Sequence, residues 1–424
     1  MTVRNRVLED HVLVVHDGRI VDLIASHDAA SRYLASVTLE RPNHVLMPGL
    51  INAHSHAAMS LMRGFTEGLP LASRLNSRMW PLEKRFVSPD FVRDGTLIAI
   101  AEMLKSGITC FADQYFYPDE TARVATQQGI RAVIGTPVAE FSTPWAQNAD
   151  EYLTKALSVH DEYKGHPSIS TVFAPLSAYT IEDATFRRIA TYANELDAPI
   201  LIHLHESSLE ITESVARYGS RPIERLHSLG LLTPALNAIH MLHVNPSDIE
   251  LAVQSGIAVT LCPESNLKRG NGAPPVALWV ASGLRLAVGS DGAASHNDQD
   301  IWMEMKLLTL LSRTNSEAIP SVTPWDALSI ATRSGAAALG LENEIGSLEP
   351  GKWADLCCID LSGPGTQPVY DPLAQLVLSG GRDLVTDVWV AGRHLLVDRN
   401  YSRLDWPTLA ARANIWAAKL KAEG

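Results

Sequence analysis

Two histidines one residue apart, His54 and His56, close the apolar stretch PGLINAHSH. In an extended chain, residues two apart share a face, so both imidazoles reach toward one point. That geometry suits a metal ion, but on these residues alone it stands level with a pair of strand-end histidines bonded to polar neighbours. Further along, His203 and His205 close PILIHLHE, His240 closes NAIH, and Asp291 follows LRLAVGS. Taken singly, each reads as a satisfied structural histidine or an ordinary helix-capping aspartate. Taken together, imidazole and carboxylate groups at four strand ends are what a catalytic divalent cation needs, with a position left for water. No second ligand cluster is evident in the sequence.

The elements that must position these groups alternate along the chain. Eight apolar runs read as strands: HVLMPGLINAHSH, ITCFADQYF, RAVIGTPVA, STVFAPLSAY, PILIHLHE, NAIHMLHV, IAVTLCPESN and LRLAVGSDG. Between them lie helix-like segments such as SPDFVRDGTLIAIAEMLKSG, IEDATFRRIATYANELD and NPSDIELAVQSG, several opened by Ser, Asp or Asn and closed at Gly. Eight β-then-α units predict an α/β fold of the (β/α)8 TIM-barrel type over residues 47–340, with its chemistry at the C-terminal ends of the strands. An open doubly wound sheet would need a glycine-rich phosphate turn after the first strand, and none is present. Both ends of the chain read differently. HVLVVHDGRIVDLI near the start, and WADLCCIDL and VTDVWVAGRHLLV near the end, alternate apolar and polar residues around turns. They predict a small β-sandwich domain built from residues 1–46 and 341–424, the latter also carrying a terminal helix.

Composition sets the limits. At 424 residues and 46% hydrophobic content the chain can bury a large core. Its apolar runs are strand-sized, so neither a membrane span nor a signal segment is expected. The four cysteines form no C-x-x-C pair, and the formal charge of −12 is spread without a basic cluster. These features point to the cytoplasm, to a small-molecule substrate, and away from nucleic acid and membrane partners.

The motifs PGLINAHSHAAMSLMRG, HLHESSLE, AIHMLHV, CPESNLK, GSDGAASHND and GSLEPGKWADL, in this order and spacing, resemble the amidohydrolase superfamily. The resemblance is to its branch of triazine hydrolases and aminated-heterocycle deaminases, and it spans nearly the whole chain. Within that branch, WPLEKRFVSPDFV and ITCFADQYF are similar to the 5'-methylthioadenosine and S-adenosylhomocysteine deaminases. The resemblance implies one divalent ion per chain, zinc by expectation, held by His54, His56, His203, His240 and Asp291. His205 is left out. It also implies a homo-oligomer, dimer or tetramer.

A cation there would lower the pKa of bound water from about 15.7 towards 7, with Asp291 orienting the nucleophile. The resemblance makes Glu206 the proton shuttle to a ring nitrogen and then to departing ammonia. Without it, Glu206 reads as a surface charge. His243 is expected either to donate to the emerging oxyanion or to serve as a structural support.

In the adenosine-type deaminases, a glutamate at the position of Glu83 accepts from the ribose hydroxyls, as two carboxylate oxygens suit a vicinal diol. On sequence alone, an exposed helix charge reads equally well. Trp80, one turn earlier, is a core side chain or a pocket wall.

Two departures stand out. Where the resembled pattern reads A-P-H-A-P-Y-T, this chain has APLSAYT, with Leu176 in the place of a substrate-touching histidine. Relatives also begin with a further strand, so the small domain is expected to be one strand short, with an exposed edge. A different aminated heterocycle (guanine, pterin or s-triazine) and a barrel that has lost turnover are the alternatives. The H-x-E and P-C-x-x-C pattern of cytidine deaminases is absent.

Overall fold

The computed structural model describes residues 7–65, 79–314 and 321–423. Its centre is an eight-stranded parallel sheet in sequence order: β4 (Leu50–Ser55), β5 (Ile108–Gln114), β6 (Arg131–Val138), β7 (Ile169–Pro175), β8 (Ile200–Leu204), β9 (Leu236–His240), β10 (Ala258–Leu261) and β11 (Arg285–Val288). The sheet curls until its ends meet. Asp291 N–H donates to the His54 carbonyl at 3.0 Å, and a Ser55–Asp291 bridge joins the last strand's continuation to the first. Gly289 permits that approach, because a Cβ there would lie 2.7 Å from the His54 nitrogen. All eight strands expected from the sequence are present, in a TIM-type barrel.

Period-two alternation fills both sides of the barrel wall. Ile51, Cys110, Val133, Val172, Leu201, Ile239 and Ala287 form a buried interior cluster. Leu50, Phe111, Ile134, Phe173, Ile202 and Val259 face outward into the larger core shared with the helices. Those helices start and stop where the sequence signals them. Ser88 caps Pro89–Lys105 by accepting from Phe91 N–H, and Asn245 and Asp248 cap Pro246–Ser255 reciprocally before Gly256 ends it at φ +64°.

The first apolar run is two strands. β3 (His44–Pro48) pairs antiparallel with β12 (Leu356–Asp360), whereas β4, two residues later, pairs parallel with β5. Pro48 has no N–H to continue a ladder, and Gly49 packs with no room for a side chain against Thr109, so the chain changes sheets between them. Met47, the expected first residue of the barrel, therefore lies in the small sheet opposite Cys357.

That sheet runs β15 (Asn400–Tyr401), β14 (Arg393–Val397), β13 (Val385–Val390), β12, β3. The hairpin β1 (His11–His16) and β2 (Arg19–Ala25) joins it through Ile20, Leu348, Ala354 and Leu356, packed with Leu13, Leu23, Leu46 and Trp389. The expectation of a missing strand and an exposed edge concerns the chain start at residues 1–6, which lie outside the described residues. Buried Arg131 and Asp355 pair at 2.8 Å and tie the base of the barrel to the small sheet. The terminal helix Trp406–Glu423 docks on the barrel through Trp416, whose indole donates to Asp94 at 2.9 Å. Among the described residues no helix is long and apolar enough to cross a membrane. The four cysteines are buried and unpaired with one another.

Candidate active site

The C-terminal ends of four strands converge on one point. Ligand atoms of His54, His56 and His203 lie within 4.8 Å of one another. The His240 ring stacks 5.5 Å from that of His203. Asp291 Oδ1 lies 3.3 Å from His56 Nε2 and 3.7 Å from His54 Nε2. Glu206 reaches the same place from the end of β8, its Oε1 3.8 Å from His240 Nε2. The structure thus brings together all five ligand candidates and the expected proton shuttle.

Hydrogen bonds aim the rings. His56 Nδ1 is held at 2.5 Å by the Gln114 carbonyl, and His203 Nδ1 at 3.2 Å by the Leu176 carbonyl, which places the proton on Nδ1 and leaves Nε2 as a lone-pair donor. Asn266 Nδ2 lies 3.1 Å from His240 Nδ1, and a half-turn of that amide would set its otherwise unpartnered oxygen on a ring N–H. The Ser265 hydroxyl donates to Asp291 Oδ2. The backbone is strained at these positions. His205, His240 and Asp291 are non-glycine residues at φ 54°, 75° and 62°, a region that costs on the order of 1–3 kcal/mol each.

Charge and burial prepare the cluster for a cation. Burial lowers His54 to about 4, and burial together with its histidine neighbours holds His203 well below its ordinary value. Burial also opposes ionisation of Asp291, but contacts with His54, His56 and Arg269 outweigh it and keep the carboxylate charged. Both ring nitrogens of His54, and Nε2 of His240, are buried without a hydrogen-bond partner. Orphaned imidazoles in a dry site are costly unless something accepts their lone pairs, and four imidazoles beside a carboxylate are a fitting donor set for zinc.

Five further predicted residues lie outside the cluster. His205 turns away: its Nε2 accepts from Ile223 N–H at 3.1 Å, and its Nδ1 faces the His243 carbonyl at 3.2 Å. His243 is fixed through that carbonyl, which also accepts from Arg221 at 2.8 Å. Glu83 is no free surface charge. Its Oε1 accepts from the Tyr115 hydroxyl at 2.8 Å, and burial raises its pKa. Trp80 is not a core residue, since it is 58% exposed. The Leu176 side chain packs against the barrel–helix core.

Sequence reasoning missed Arg269. Its guanidinium lies 2.5 Å from Glu206 Oε1 and 3.5 Å from Asp291 Oδ2, and against the opposing effect of burial it keeps Glu206 ionised. Its position just past CPESNLK was the available signal. A second group, Glu264, His296 and Asp298, also comes together, contrary to the single cluster expected.

A profile of the amidohydrolase family matches residues 45–395. The chain is 41% identical over 418 residues to a 5-methylthioadenosine/S-adenosylhomocysteine deaminase of Teredinibacter turnerae, covering 99% of this chain and 95% of the relative. Among solved structures it is similar to an adenosine deaminase from Xanthomonas campestris with bound zinc: TM-score 0.97, 42% identity, 99% of this chain and 95% of the other. An atrazine chlorohydrolase from Arthrobacter aurescens shares the fold at TM-score 0.91 and 24% identity, covering 98% and 97% of the two chains.

Proposed function

The chain belongs to the amidohydrolase family, and from that premise we propose that it is a zinc-dependent hydrolytic deaminase of an aminated purine nucleoside. The substrate we assign is 5'-methylthioadenosine or S-adenosylhomocysteine, converted to the inosine derivative and ammonia. The observation that carries this reading is the placement of Glu206 beside the histidine cluster, with Glu83 anchored by Tyr115.

His54, His56, His203, His240 and Asp291 are the residues we assign to the metal. Zinc bound there would supply a Lewis acid and a water of lowered pKa. Asp291 orients the attacking water and accepts from it. Glu206, kept ionised by Arg269, takes a proton from that water and delivers it to the ring nitrogen next to the amino-bearing carbon. It then takes the second proton, from the hydroxyl now on the ring carbon, and passes it to the amino group, so that the carbon–nitrogen bond breaks, ammonia leaves and the oxo ring remains. His243 is assigned to the oxygen that develops negative charge. Glu83 takes the ribose diol, and Trp80, exposed at the start of the same helix, closes one wall of the pocket.

Leu176 is counted among the substrate contacts as the apolar replacement of a polar one. The cytoplasm is the compartment we assign, supported by four buried, reduced cysteines. A homodimer or homotetramer rests on the family resemblance, and sedimentation velocity reads it directly. The test of function is ammonia release from a panel of aminated purines, nucleosides, pterins and triazines. Preference for 5'-substituted adenosines supports the assignment, and preference for a free base, pterin or triazine replaces it.

A further inference from the structure

Next to Ser265, in the same helical turn, begins a group of charged side chains that the reaction does not use. Glu264 stands in the first turn of the helix Pro263–Lys268 after β10. His296 ends the short helix Ala293–His296 after β11, and Asp298 follows it. One ligand atom from each lies within 4.8 Å of the others. Glu304 closes the back of the group by accepting Glu264 N–H at 3.0 Å.

The bonding within this group is incomplete. The His296 side chain is fully buried, yet neither ring nitrogen has a hydrogen-bond partner, the carboxylate of Asp298 being 3.5 Å from Nε2. Glu264 Oε2 and Glu304 Oε1 are likewise buried without partners. A buried imidazole and single carboxylate oxygens left without hydrogen-bond partners cost free energy that a cation would recover.

The charge count points the same way. Glu264, Asp298, Asp300 and Glu304 share the region. Arg382 lies 4.0 Å from Asp298 and from Asp300, but it is already engaged with Glu102 at 2.8 Å. Lys268 also acts on Glu264. Burial raises Glu264 to about 7 and, with the neighbouring Asp298, Asp300 to about 6, as expected where carboxylates crowd without enough positive charge.

We propose that Glu264, His296 and Asp298 form a second, accessory site for a divalent transition-metal ion, separate from the His54 cluster. One nitrogen and two oxygen donors suit Mn2+, Fe2+ or Zn2+, whereas Ca2+ and Mg2+ favour oxygen-only shells. With three protein ligands and Asp298 partly open to solvent, the ion exchanges readily. Its place in the fold gives it a role: it ties the helix after β10, which carries Ser265, to the segment after β11, which carries Asp291.

Mn2+ is the probe. Zinc-replete protein, dialysed free of loosely held metal, is titrated with Mn2+ and followed by electron paramagnetic resonance while zinc content is measured. The expected result is one saturable Mn2+ per chain with zinc retained, and affinity at least tenfold weaker in His296→Asn and in Asp298→Asn. Anomalous diffraction at the manganese edge on wild-type crystals places the ion independently of any variant's folding, and the peak is expected between the three side chains. Mn2+ uptake matched by zinc loss, equal affinity in the variants, a peak elsewhere, or no saturable binding overturns the proposal.

Discussion

His203 Nδ1 lies 3.2 Å from the main-chain carbonyl of Leu176, so the residue that departs most from the resembled pattern supports the histidine cluster through its backbone. The side chain at position 176 can therefore change without disturbing that support. Leu176→His should keep full zinc content. If the imidazole reaches the nucleoside, it should gain a hydrogen bond of about 0.5–1.5 kcal/mol, a roughly threefold to tenfold rise in kcat/KM for adenosine derivatives. Zinc analysis and steady-state kinetics on the variant check both halves. Loss of zinc would show that the side chain, and not the carbonyl, supports His203.

Glu206→Gln removes the carboxylate proposed as proton shuttle while sparing the assigned ligands. It should retain zinc and substrate binding and lose about 10²- to 10⁴-fold in turnover. Wild-type turnover with zinc and fold intact would return Glu206 to the status of a bystander carboxylate.

Glu83→Ala should weaken nucleosides while leaving the free base almost unaffected if the lost carboxylate is, as proposed, the one that takes the ribose. Tyr115→Phe should act in the same direction but more weakly, since it frees Glu83 Oε1 from its 2.8 Å anchor without removing the carboxylate. Measuring kcat/KM for a nucleoside and its base in both variants decides the point. Equal losses on the two substrates would contradict the ribose assignment.

Much of this was legible in the sequence, for physical reasons. The barrel strands are short, largely apolar runs, and β4, β8, β9 and β11 end at or just before the histidines and Asp291, which is the form of strands buried on both faces with a site at their ends. The break at Pro48–Gly49 was hidden because both halves of HVLMPGLINAHSH are equally apolar, and hydropathy does not report which sheet a strand joins. Trp80 misled because aromatic bulk usually means core, yet this ring stands exposed at a helix start. Glu264 and His296 sit in helices of one or two turns, and Arg269 and Asp298 just beyond them, segments too short to show a period. Their meeting is a product of tertiary structure alone.

The small domain offers a pH test remote from the site. Asp387 is fully buried, and although burial alone would raise its pKa, a two-pronged bond from Arg41 at 2.8 Å holds it at about 2 against an ordinary 3.8. The folded-state value is the lower one, so the stabilisation is complete above about pH 4 and is lost as pH falls through 2. It amounts to on the order of 2 kcal/mol at neutral pH. Asp387→Asn should lower stability by about that much at pH 7 and flatten the acid limb between pH 4 and 2. Urea unfolding at pH 7 and pH 3 reads the difference, and an unchanged acid limb would remove Asp387 from the account.

The central claim is that this site hydrolyses the amino group of a purine nucleoside. Its most direct measurement is the incubation of zinc-replete protein with 5'-methylthioadenosine, following ammonia and the change of the adenine chromophore to that of hypoxanthine in the same sample. The account predicts that the two rise in equal amounts over many turnovers, and that both vanish when His54→Ala and His56→Ala are combined. A zinc-replete, folded protein that releases no ammonia from this or any other adenosine derivative would contradict it.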